Sequence, residues 1–114
     1  MYSDSGDMRT QINLILDGFN ELPYPSQPDV AAQIGVSEST MRRRLSDQKT
    51  SFRRITEQHK RNRAQALLQN ENNTILEIAL QLGYADSPTF VKAYKKWTGV
   101  TPKKYRQRAR NASL

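Results

Sequence analysis

The sequence has no cysteine and a single histidine, His59. This excludes a disulfide framework, a thiolate zinc site and a thiol nucleophile, and no His/Cys cluster is left to hold a metal. No stretch approaches the roughly 18 apolar residues of a membrane span. Asp4 and Asp7 precede the first basic residue, Arg9, so the N-terminus does not read as a secretory signal. Absence of cysteine fits a reducing, cytoplasmic setting. Glycine and proline number five each in 114 residues, and few points therefore interrupt helices. No segment alternates β-branched and polar residues with period two, which argues against strands. The hydrophobic share, 36%, is low but sufficient for one small helical core.

Charge is abundant and unevenly placed. The chain carries a net charge of +7. Residues 1–41 sum to −5, residues 42–63 to +7, residues 64–91 to −3 and residues 92–114 to +8. A solvated helical surface normally mixes its signs. Two basic blocks separated by an acidic one fit two separate contacts with a polyanion. A basic membrane-surface helix would need a long Trp/Phe/Leu-rich opposite face, and neither block has one.

The pattern predicts an all-α chain of about seven helices. Met8, Ile12, Ile15 and Phe19 mark one apolar stripe over a helix from Met8 to about Gly18. A loop around Pro23 and Pro25 follows. Ser26 and Asp29 then form a capping-box start for a short helix that Gly35 ends. Ser37 caps a third helix, with Met41 and Leu45 expected inward and a hydrophobic staple expected from Val36 to Met41. A longer helix runs from Ser51 to about Asn70. Its buried face is marked by Phe52, Ile55, Ala64, Leu67 and Leu68, with His59 near that stripe. About 18 residues would make a rod of about 27 Å. A final helix starts near Thr101 and Pro102. Residues 107–114 read as a basic tail.

One segment repeats another. Ser26-x-x-Asp29-Val30-Ala31-x-x-Ile34-Gly35 is matched by Thr74-x-x-Glu77-Ile78-Ala79-x-x-Leu82-Gly83, at an offset of 48 throughout. Beyond the glycine the offset is 49, so Ser37, Met41 and Leu45 correspond to Asp86, Phe90 and Tyr94. A capped helix, a tight glycine turn, a second cap and a second helix with i, i+4 core residues make the sequence form of helix-turn-helix. The small Ala31 or Ala79 lets the paired helices approach. This organisation divides the chain into a polar lead at 1–7, a first subdomain at 8–50, a connecting helix at 51–70, a second subdomain at 71–106 and the tail.

These residues resemble the DNA-binding domain of the AraC/XylS family of bacterial transcription regulators. The fit is closest over Ile78-Ala79-x-x-Leu82-Gly83-Tyr84-x-Asp86-x-x-x-Phe90-x-x-Ala93-Tyr94-Lys95-Lys96-Trp97-x-Gly99-x-x-Pro102-x-x-Tyr105-Arg106. Val30-Ala31, Gly35, Ser37, Met41, Arg43, Leu45 and Ser51-Phe52 match in the first unit, and the likeness spans about residues 8–108. Three features depart from the pattern. The loop Ser46–Thr50 is one residue short with Lys49 where glycine is common, Tyr94 replaces a more usual Phe, and His59, Lys60 and Arg63 make the connecting helix unusually polar.

The resemblance implies two helix-turn-helix subdomains bridged by the long helix. Their second helices, about 37–46 and 86–97, would enter successive major grooves on one face of double-stranded DNA, where grooves recur every ~34 Å. It also implies contact with RNA polymerase, and for many members a separate effector or dimerisation domain. The isolated domain is expected to be monomeric, cytoplasmic and nucleoid-associated, with no cofactor and no enzymatic activity.

Helix phase nominates the reading residues. Ser39, Arg42 and Arg43 face away from Met41 and Leu45, and arginine can bond bidentately to guanine O6 and N7. Ser87, Pro88, Val91 and Lys92 are the counterparts in the second unit. They are poor in donors, so the first unit is expected to discriminate more. Arg44, Lys49, Lys95, Lys96, Lys103 and Lys104 are expected on phosphates, as are the helix-start amides near Ser26 and Thr74. Phe90, Tyr94, Trp97 and Tyr105 read as core or flank, which weighs against an exposed base-stacking platform and hence against a non-specific nucleic-acid binder. A helical protein-interaction module would leave the duplicated unit unexplained.

Overall fold

The computed structural model describes residues 7–19 and 24–112. Pro23 of the expected loop, residues 1–6 of the expected lead and residues 113–114 of the expected tail lie outside that range. Among the described residues the chain is all-α: α1 Met8–Asp17, α2 Gln27–Ile34, α3 Glu38–Asp47, α4 Phe52–Leu68, α5 Ile75–Gln81, α6 Ser87–Thr98 and α7 Pro102–Ala112. The chain forms two compact units that divide within α4, between His59 and Lys60.

In the first unit, α1 contributes Met8, Ile12 and Leu16 to the core, α2 Val30 and Ala31, α3 Met41 and Leu45, and α4 Ile55. The stripe on α1 differs by one position from the expected one. Its buried face centres on Ile12, from which Met8 and Leu16 lie about 40° to either side, while Ile15 lies about 60° away. Leu16 is therefore fully enclosed and Ile15 packs at the edge. Asp7 caps the helix by accepting the Thr10 amide at 2.7 Å. That bond holds the Asp7 carboxyl below its usual range.

The second unit packs Ala64 and Leu68 of α4 against Ile78 and Ala79 of α5, Leu82, and Phe90 and Tyr94 of α6. Tyr84, Trp97 and Tyr105 close around this core. Tyr94 meets Phe90, Trp97 and Tyr105 in tilted and edge-on ring contacts of 5.8, 6.3 and 6.2 Å. The aromatics are core and flank, as their spacing predicts. α7 continues as helix through Ala112, so residues 107–112 are not an unstructured tail. Arg110 pairs with Glu71 and ties that end back to the unit.

The duplicated segments fold alike. Ser26 and Asp29 close a complete capping box, and so do Thr74 and Glu77. At the turns, Val36 N–H donates to Ala31 O at 3.0 Å and Tyr84 N–H to Ala79 O at 2.9 Å. Gly35 N–H donates to Ala32 O and Gly83 N–H to Leu80 O. Both turns are Schellman motifs. They need a left-handed residue, and the glycines supply φ of +88° and +93°.

Candidate nucleic-acid interface

The candidate interface begins with how α3 is anchored. Ser37 accepts the Thr40 amide at 3.0 Å, which fixes the start of the helix. Met41 and Leu45 are fully buried and set its rotation. With 3.6 residues per turn, Ser39, Arg43 and Ser46 then point opposite the core, with Arg42 on one flank and Arg44 on the other. All five are exposed. Ser39, Arg42, Arg43 and Ser46 line one open groove of about 620 Å³, together with Gln27 at the start of α2 and Arg53 at the start of α4. Ser46 and Gln27 were not among the expected site residues. The spacing of seven from Ser39 signals Ser46, whereas nothing in the linear pattern signals Gln27.

Lys49 follows the last turn of α3 and is exposed. It has φ +61°, the one left-handed non-glycine among the described residues. Its amide donates to Ser46 O at 2.9 Å and the Thr50 amide to Leu45 O at 3.0 Å, a third Schellman turn. The lysine thus stands at a position that favours glycine.

On α6, Asp86 accepts the Thr89 amide at 2.8 Å. Hydrogen bonds from the side chain and amide of Thr89 hold the Asp86 carboxyl below its usual value. Phe90 and Tyr94 face the core. Burial pushes the Tyr94 hydroxyl pKa up. Pro88 and Lys92 are exposed, while Ser87 and Val91 are half-buried. Lys95 and Lys96 are exposed in the last turn, where cations also complement the helix dipole. The residues structurally equivalent to Ser39, Arg42 and Arg43 are Pro88, Val91 and Lys92, so the donor-rich set occurs once. Lys103 and Lys104 are exposed on α7.

The structure divides the two basic blocks into free and engaged cations. Arg53 pairs with Glu57 at 3.3 Å, leaving it largely exposed. Lys60 lies over the Tyr84 ring at 5.0 Å and Arg61 donates to Trp97 O at 3.4 Å. Arg106 donates to three backbone carbonyls, Leu68 O at 2.9 Å, Asn70 O at 3.2 Å and Asn73 O at 2.7 Å. It satisfies the end of α4 and holds the loop that leads into α5. Lys60, Arg61 and Arg106 thus build the second unit. His59 is likewise structural: its Nε2 is 3.3 Å from Asp17 Oδ1, and its ring meets Tyr24 edge-on at 5.9 Å.

Two capped helix pairs, each turning at a left-handed glycine and presenting a basic second helix, define a double helix-turn-helix protein. Comparison with known proteins narrows the class. The family model described as "Helix-turn-helix domain" matches residues 30–108. The HTH-type transcriptional regulator VqsM of Pseudomonas aeruginosa is 34% identical over 103 residues, covering 90% of this chain and 31% of VqsM. The crystal structure of the transcriptional regulator CdpR from Pseudomonas aeruginosa superposes with a TM-score of 0.88 at 38% identity, over 93% of this chain and 33% of CdpR. A Chromobacterium violaceum regulator of the AraC-type DNA-binding-domain group gives a TM-score of 0.82 at 25% identity, over 93% of this chain and 95% of that one. The chain belongs to the AraC-type helix-turn-helix family of transcription regulators. It spans about a third or less of the length of the first curated relatives it matches. Among the described residues no helix is long and apolar enough to cross a membrane.

Proposed function

We propose that this chain binds double-stranded DNA sequence-specifically, as the DNA-binding part of a cytoplasmic bacterial transcription regulator, with α3 and α6 each reading a major groove. The observation that carries this reading is α3 itself. Its rotation is set by two buried residues, and its outer face offers two free arginines and two serines beside an open groove. That is the donor set direct readout requires. Arg42 and Arg43 are assigned to guanine, with Ser39 beside them. Pro88 and Val91 are suited to thymine methyls, and Lys92 to guanine or phosphate; Ser87, like Val91, is half-buried. Arg44, Lys49, Lys95, Lys96, Lys103 and Lys104 are assigned to phosphates, which position the protein without reading sequence.

The test is selection of sites from random duplex DNA, followed by salt titrations on the selected duplex and a scrambled control. A bipartite motif is expected, with the stronger block belonging to α3. Arg43→Ala should cost about 1–3 kcal/mol on the selected site and relax one base pair. Equal losses on both duplexes would remove Arg43 from base recognition. Failure to enrich any motif, with a steep salt slope on every sequence, would support a non-specific binder instead.

A further inference from the structure

The groove beside α3 contains one group that the charge pattern does not explain. Gln27, the first residue of α2, lines it together with Ser39, Arg42, Arg43 and Ser46. Its side-chain amide nitrogen is buried and has no hydrogen-bond partner. A buried donor without an acceptor is costly, and native proteins rarely keep one without a use. The internal repeat supplies a control within the same molecule. The equivalent position in the second unit is Ile75, also the first residue of its helix, packed against the core. An apolar side chain therefore satisfies the fold at this point, and Gln27 is not required by the helix-turn-helix architecture.

We infer that Gln27 is a further DNA-contacting residue of the first unit, its side-chain amide donating to a phosphodiester oxygen seated in the groove between the start of α2 and α3. This rests on the proposed DNA-binding reading. The ligand chemistry follows from the surroundings. Arg42, Arg43 and Arg53 make the groove electropositive, and Ser39 and Ser46 add hydroxyl donors. An anionic oxygen is the acceptor such a site favours. The terminal torsion of glutamine is broad, so the amide can turn from its enclosed position to an acceptor arriving in the groove. Gln27 would thus complete its hydrogen bonding only on DNA. It would hold α3 in register without reading a base.

A neutral donor leaves a signature that a lysine does not. Hydrogen bonding to phosphate contributes affinity, but releases no counterion through its own charge. Gln27→Leu in the full chain should weaken binding about tenfold on both the selected and the scrambled duplex, with the salt slope unchanged. Its thermal midpoint should match or exceed that of the parent, because the unpaired amide is gone. Gln27→Glu, which faces the phosphate with a like charge, should weaken binding further. Parental affinity in Gln27→Leu or in Gln27→Glu, with the fold intact, overturns the contact. A loss confined to the selected duplex also overturns it, since that would make Gln27 a base reader. If the parent chain binds neither duplex, the DNA-binding reading itself fails, an outcome separate from any effect of the variants.

Discussion

Replacing Lys49 by glycine should stabilise the fold and weaken its hold on DNA at the same time. Lys49 sits at φ +61° in the Schellman turn that ends α3. A left-handed backbone costs a non-glycine residue about 1–2 kcal/mol. Glycine removes that strain but loses about 0.4–1 kcal/mol through the greater freedom of the unfolded chain. The net gain should be about 0.5–1 kcal/mol, and both turn hydrogen bonds survive because they are made by the backbone. For a chain of this size, the thermal midpoint should rise by a few degrees. The same substitution deletes an exposed cation next to α3. If Lys49 neutralises one phosphate, the slope of log K against log salt should fall by about 0.9, with affinity lost on every sequence. Lys49→Asn separates the two effects, since asparagine tolerates the left-handed region and carries no charge. Thermal denaturation and a salt titration of duplex binding measure both quantities. A lowered midpoint in Lys49→Gly would refute the strain argument. A raised midpoint with an unchanged salt slope would refute the phosphate contact and leave the strained lysine without a use.

Two further predictions concern the local supports of the second unit. Arg106→Met removes the donors to three carbonyls at the end of α4 and the loop before α5. It should cost about 2–3 kcal/mol in urea unfolding, and an effect below about 0.5 kcal/mol would mean that water replaces the clamp. Asp86, whose pKa is depressed by its bonds to Thr89, contributes stability that is present above the ordinary carboxylate pKa and is lost as pH falls through the depressed one. Asp86→Asn keeps the cap without the titration, so its stability should fall less steeply than the parent's below about pH 4. Parallel acid limbs for the two proteins would show that Asp86 does not contribute to acid unfolding.

The sequence alone determined what depends on neighbours along the chain. Capping boxes at Ser26 and Thr74, the caps at Ser37 and Asp86 and the turns at Gly35 and Gly83 are built from residues within a few positions of one another. The repeat offset therefore revealed both helix pairs, and the period of 3.6 revealed which face of α3 is free. Tertiary packing decided the rest. Whether Leu16 or Ile15 enters the core depends on which side of α1 meets α2 and α3, and the helical period tolerates either. Lys60, Arg61, Arg106 and Arg110 look the same in a charge count as Arg42, Arg43 and Lys92. Only in the folded unit do carbonyls, a tyrosine ring and Glu71 come within their reach. Ser87 and Val91 lose exposure to packing around α6. Gln27 joins the face of α3 because the start of α2 closes one side of the groove, a juxtaposition no local pattern encodes. A cation's availability, like an amide's lack of a partner, is a property of what the fold brings within about 3 Å of it.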